Sequence, residues 1–204
     1  MTMSAIAAGI HVVGGCEIRA EEISIFEELT ARSSIGRVDD VDFARVPRVH
    51  ILSTCSDCMD YSTLGSGRGL DGLTGCQFGS QFEPAEKLGA LVVIWENVEG
   101  VVRMHCGAAV QQIEQGARDA GFGEQNYHKI VHLARHGEPE NRKRIIGVAF
   151  HDSVKLLMPF EFPAEDGTRH CAGEYLLPSS VIPESYWDDR PWGKIPLKRA
   201  SDEV

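Results

Sequence analysis

The sequence has little of what a membrane or nucleic-acid protein displays. Its longest apolar stretches, such as Ala90 to Trp95, fall well short of the roughly 20 residues that cross a bilayer, so no membrane span is expected. The opening Met1-Thr2-Met3-Ser4-Ala5-Ile6 has neither a basic stretch nor an adequate apolar one; no secretory signal is expected, and a reducing cytoplasm is the default. Basic residues are the scarcer charge. Lys and Arg number 20 against 30 Asp and Glu, and the net charge of −10 argues against a large electrostatic contact with nucleic acid. No basic cluster exceeds Arg142-Lys143-Arg144. A metalloprotease HExxH, a Walker lysine and a second Cys-x-x-Cys are all missing, as are repeats and low-complexity segments.

What is present suits a single domain over 1–204, since 204 residues with 43% hydrophobic content can bury a sizeable core. Residues 17–32 read as a helix: Ile18, Ile25, Phe26 and Leu29 share a face, and Glu17, Glu21 and Glu22 suit its positive end. Arg48 to Ser53 reads as a strand. Ala90–Glu96 and Val101–His105 read as a hairpin about Asn97-Val98-Glu99-Gly100, the first arm apolar enough to be buried on both faces. Ala109, Val110, Ile113, Ala117 and Ala120 form a helical stripe ending at Gly121 and Gly123; Tyr127, Ile130, Val131 and Ala134 form a second ending at Gly137 and Pro139. Ile145–Phe150 and Val154–Met158 read as another hairpin. Residues 160–204, rich in proline and acid, read as an irregular wrapping tail anchored by Tyr186, Trp187 and Trp192. The expected class is α+β, antiparallel hairpins packed with amphipathic helices.

The chemistry concentrates on cysteine and histidine. Cys55-Ser56-Asp57-Cys58 follows a strand directly, and two thiolates at that spacing form half of a tetrahedral zinc site, with His105 or Cys106 to complete it. A redox dithiol and a pair of ordinary buried thiols are the alternatives. Cys106 precedes Gly107 at a helix start, where the positive end favours a thiolate nucleophile; a dyad would draw on His151 or His170. His128, His132 and His136 fall at i, i+4 and i+8 on the second helical stripe, turned away from its apolar face, and read as solvated. His170-Cys171-Ala172-Gly173-Glu174 reads as a surface turn. Gly65-Ser66-Gly67-Arg68-Gly69 offers backbone amides and one cation to an anion.

Two fragments resemble known families. Arg19-Ala20-Glu21-Glu22-Ile23 at a helix start, followed by Thr54-Cys55-Ser56-Asp57-Cys58, looks like the two-part signature of the zinc nucleoside and nucleobase deaminases, with Arg19 at a ligand position and Thr54 in place of proline. Gly107-Ala108-Ala109-Val110-Gln111-Gln112, continuing to Ala120-Gly121-Phe122-Gly123, is similar to a helix of FMN-dependent nitroreductases. The leading expectation is therefore a cytoplasmic, zinc-dependent hydrolytic or deaminase-like enzyme of a small polar substrate. Cys55, Cys58 and His105 would hold the metal, Asp57 or Glu21 would move protons, and Cys106 is a further catalytic candidate. The alternatives are an FMN oxidoreductase and a non-catalytic partner subunit of a complex. A small-molecule substrate, no nucleic acid, no membrane, and a homo- or hetero-oligomer are the expected associations.

Overall fold

The computed structural model describes residues 2–56, 58–61, 68–71, 80–168, 170–175 and 181. Two helices open the chain, α1 (Thr2–Ala7) and α2 (Ala20–Thr30). Strand β1 (Ile51–Thr54) follows, then α3 (Glu83–Leu88), β2 (Val92–Val98), α4 (Gly100–Arg103), α5 (Ala108–Asp119), β3 (Gln125–His132) and β4 (Lys143–Phe150). Among the described residues no helix is long and apolar enough to cross a membrane.

The four strands form one mixed sheet in the order β1-β2-β4-β3. β1 runs parallel to β2, whereas β4 runs antiparallel to both β2 and β3. The carboxyl ends of β1, β2 and β3 therefore lie at one edge of the sheet, together with the amino end of β4. This mixed α/β arrangement replaces the expected set of antiparallel hairpins.

Alternation along β2 puts Val93, Trp95 and Asn97 on a fully buried face and leaves Val92, Ile94, Glu96 and Val98 partly covered. The buried face joins a core containing Phe82 and Ala85 around α3, Val101 of α4, Ala109, Ile113 and Ala117 of α5, and Ile145 and Ala149 of β4. The apolar run of β2 is thus buried on one face, not both. On the other face the rings of Tyr127, Phe150 and Phe160 pack within 5.4–6.4 Å of one another.

The expected helix over Ala109–Ala120 is present as α5, and its chain reversal uses Gly121 at φ 79°, a conformation only glycine adopts freely. Other expectations are corrected. The supposed hairpin arm Val101–His105 is helical and then turns through Met104–Gly107, because Gly100 brings α4 against the carbonyl of Tyr61, where a Cβ would overlap it. Tertiary packing here overrides the strand preference of valine. Residues 125–132 form a strand although their apolar spacing also fits a helix; pairing with β4, Tyr127 to Val148 and Ile130 to Ile145, decides between the two periods. Val154–Met158 forms no strand, since both edges of β4 are already occupied by β2 and β3, and Leu157 and Met158 are exposed. In α2, Phe26 alone is buried, and Ile18 and Ile25, expected to pack, are 64% and 55% exposed. Most of the proline-rich tail, including Tyr186, Trp187 and Trp192, lies outside the described residues.

Candidate active site

Three polar groups converge where β1 and β2 end and β4 begins. The Cys55 thiol, just past β1, donates to Glu96 Oε2 at 3.1 Å. Arg144 Nε donates to the other carboxylate oxygen, Oε1, at 2.7 Å. Glu96 and Arg144 are each only about a fifth exposed, which shields the pair from solvent and raises the value of its charge-assisted hydrogen bond. Desolvation, reinforced by the hydrogen bond to Glu96 and by its negative charge, pushes the Cys55 thiol up to about 12. Cys55 therefore stays protonated at neutral pH, even though its residue reaches the surface.

Asn97 fixes the turn that carries the thiols. Its side chain is fully buried, and Nδ2 donates to the Ser56 carbonyl at 3.0 Å and to Ser56 Oγ at 3.2 Å. Cys58, three positions after Cys55, is half-buried, a charge on it opposes one on Cys55, and its carbonyl accepts from Tyr61 N at 3.0 Å. Tyr61 is itself in the core. The thiol-bearing turn is thus tied to the core on one side and to the end of β2 on the other.

The residues singled out in the sequence scatter. Cys55 belongs to this group, and Cys58 stands three positions further along the chain. His105 instead sits at φ 49° in the turn before α5, its ring over Gly69 and its Nε2 3.3 Å from the Arg68 carbonyl. Cys106, at φ 53°, is exposed in that same turn. Glu21 is in the first turn of α2, beside the exposed Arg19–Glu22 ion pair. Asp57 lies outside the described residues, as do positions 65–67 of the glycine-rich stretch. His128 and His132 are on β3, not on a helix: His128 packs 6.1 Å from Trp95, and His132 Nε2 lies 2.6 Å from Asn141 Oδ1. His170 Nδ1 meets Glu174 Oε2 at 2.8 Å, and hydrogen bonds from Cys171 N and from His170 hold the Glu174 carboxyl down at about 2. Among the described residues no three His, Cys, Asp or Glu side chains are grouped to hold a metal ion.

Sequence reasoning passed over Glu96, Asn97 and Arg144. The available signal was a Glu-Asn pair closing an apolar strand: in alternation one of the two must face the core, and a buried Asn needs partners.

Fold and site together define an α/β enzyme-like protein whose reactive groups stand at the carboxyl edge of its sheet, where ligands of open α/β folds bind. The chain belongs to the C-5 cytosine-specific DNA methylase family, whose model matches residues 1–200. It is 24% identical over 164 residues to the type II methyltransferase M.HaeII of Haemophilus aegyptius, covering 80% of this chain and 50% of that protein. Among solved structures it is similar in fold to a methyltransferase of Entamoeba histolytica, EhMeth, with TM-score 0.54, 15% identity, and coverage of 85% of this chain and 53% of that one. A putative DNA modification methyltransferase of an Escherichia coli prophage gives TM-score 0.55 and 15% identity, covering 74% and 43%. The chain spans about half the length of these relatives.

Family membership overturns the expected activities. The match is to DNA methylases, a family whose C-5 members take their methyl group from S-adenosylmethionine, so the zinc-dependent hydrolase or deaminase and the FMN oxidoreductase are withdrawn, and zinc and FMN with them. The deaminase-like fragments fail physically as well, since Arg19 at the ligand position pairs with Glu22 while Cys55 pairs with Glu96. The nitroreductase-like helix is an ordinary core helix, α5. The expectation of a small-molecule substrate and no nucleic acid is corrected by the same match to DNA methylases. Net charge is an average, and a local set such as Arg142, Lys143 and Arg144 at the site edge escapes it.

Proposed function

We propose that this chain carries the cytosine chemistry of a DNA C-5 methyltransferase, with Cys58 as the nucleophile and Glu96 as the proton-handling group. The observation that carries the reading is the line Cys55–Glu96–Arg144 with a second thiol in the same turn. C5 of cytosine is a weak nucleophile while the ring is aromatic. A thiolate that adds to C6 removes the aromaticity and moves electron density to C5, and a proton delivered to the ring nitrogen N3 stabilises the product. After transfer, loss of the C5 proton and of the thiolate restores the ring.

Cys55 is unsuited to attack, because its thiol is held protonated against Glu96. Cys58 is free of that contact. Arg144 fixes the carboxylate through Oε1, so Oε2 is the oxygen that meets the base once the Cys55 thiol is displaced. Asn97 keeps the turn in place during this exchange. The target cytosine has to leave the duplex stack to reach the site, and Arg142 and Lys143 at the same edge suit its phosphates.

S-adenosylmethionine supplies an electrophilic methyl carbon when bound. Glu17 fits its ribose: it ends an extended segment joined to Gly36 by Glu17 N to Gly36 O at 3.2 Å, and its half-buried carboxyl is raised by desolvation and by Glu22. Acidic residues in such a place accept ribose hydroxyls in open α/β sheets. The free thiols suit a reducing cytoplasm.

The test is covalent capture on duplex DNA carrying 5-fluorocytosine, whose fluorine blocks the release step, with S-adenosylmethionine present. The wild type and Cys55→Ser are expected to give a stable adduct mapped to residue 58, and Cys58→Ser none. Absence of any adduct and of methyl transfer in the wild type overturns the reading. An adduct on Cys55 or Cys106 overturns the assignment of Cys58.

A further inference from the structure

Cys55 and Cys58 are separated by two residues, which keeps their backbones within reach of one another, and a charge on Cys58 opposes one on Cys55. The turn is anchored by Asn97 to Ser56 between them and by Tyr61 N to the Cys58 carbonyl. Cys16, Cys106 and Cys171 have no comparable cysteine beside them in sequence. Methyl transfer as read above needs one thiol, which leaves Cys55 without a chemical task.

We propose that Cys55 is the resolving partner of Cys58, and that the two form a reversible disulfide with low-molecular-weight disulfides such as oxidised glutathione. The Cys58 thiolate attacks one sulfur of the small disulfide, forming a mixed disulfide and releasing one small thiolate. Cys55 then attacks Cys58 Sγ, forming the Cys55–Cys58 bond and expelling the second small thiolate, which takes up the Cys55 proton. Two protein thiols are oxidised and one small disulfide is reduced to two thiols. Glu96 Oε2, 3.1 Å from Cys55 Sγ, is the local acceptor through which that proton passes.

The order of events follows from the contacts. Burial and the Glu96 hydrogen bond keep Cys55 protonated, so it is a poor first attacker. Once Cys58 carries a mixed disulfide, the reaction is intramolecular and the high local concentration compensates for the small thiolate fraction. Closure also removes the Cys55 hydrogen bond from Glu96. For the methyltransferase reading, on which this consequence rests, the same bond withdraws the nucleophile and frees the acid, giving an inactive but recoverable protein.

The test is mass mapping of the purified full chain after exposure to oxidised glutathione, a readout that needs no turnover. The peptide holding both cysteines is expected to lose the mass of two hydrogens without gaining glutathione, and dithiothreitol is expected to reverse this. Alkylation of Cys58 should slow at least about tenfold on oxidation. Cys55→Ser should retain glutathione on Cys58 as a stable adduct. A wild type that keeps glutathione on Cys58, or leaves both thiols free while Cys106 and Cys171 react, overturns the proposal. If the disulfide forms but reduced protein neither captures nor methylates DNA, the methyltransferase reading fails and the redox pair stands.

Discussion

Gly147 on β4 lies directly beneath the indole of Trp95, its register partner on β2, so closely that a Cβ at position 147 would overlap the ring. Trp95 is 1% exposed and has core neighbours all round, so it cannot move aside at low cost. Gly147→Ala is expected to lower unfolding stability by about 1–3 kcal/mol through overpacking. Urea denaturation measures this directly, and an unchanged midpoint would show that the indole swings freely.

Asn97→Ala should remove both hydrogen bonds to Ser56 and leave a carbonyl unsatisfied near the core. The expected loss is about 1–3 kcal/mol. The informative readout is local: the turn should loosen, and Cys58 should become more reactive to iodoacetamide at denaturant concentrations where the rest of the chain stays folded. Equal alkylation rates in the two proteins would mean that Asn97 does not hold the turn.

Arg144→Lys keeps the charge but loses the Nε contact to Glu96 Oε1, because an ammonium cannot reproduce the planar donor. Methyl transfer is expected to fall mainly in kcat, by less than the roughly 100–10,000-fold that a positioned proton donor contributes, since Glu96 itself is retained. Stability should change by about 1–3 kcal/mol, since lysine keeps a positive charge beside the shielded Glu96 and only the charge-assisted hydrogen bond is lost. A fall confined to KM would place Arg144 in substrate binding instead.

The Cys55 thiol sets a stability trend at high pH. Its folded pKa of about 12 lies above the ordinary thiol value of 9.0, so between those values the unfolded chain has released the proton and the folded chain retains it. Its stabilising contribution is complete below pH 9 and is lost as pH rises towards 12. Cys55→Ala should flatten that alkaline decline, measured as the difference between wild-type and variant urea midpoints across the range. A decline of equal slope in both proteins would assign it to other groups.

Part of this arrangement is legible in the residues alone. The α5 stripe and its stop at Gly121 are set by helical periodicity and a glycine, both local, and both are found. The Cys55–Cys58 turn after a strand is likewise where the sequence puts it. β3 escaped because eight residues with apolar spacing of three and four satisfy two periods, and β4, over 10 positions away, makes the choice. Glu96 and Arg144 escaped for a related reason: they are 48 positions apart in the chain, and only the antiparallel register of β2 with β4 brings their charges together. The zinc reading failed because spacing shows half of a coordination set, while the completing His105 turns over Gly69 instead.

Glu96 and Asn97 are consecutive, and the period of a strand sends them to opposite faces of the sheet, one to the reactive edge and one into the core. Folding and chemistry are thereby locked to one reading frame of β2. Deleting or inserting a single residue between Val92 and Trp95 would drive the carboxylate inward and the amide outward, losing the tether and the acid in one event. Substitutions along this strand should be tolerated in graded fashion, whereas length changes should be all or nothing.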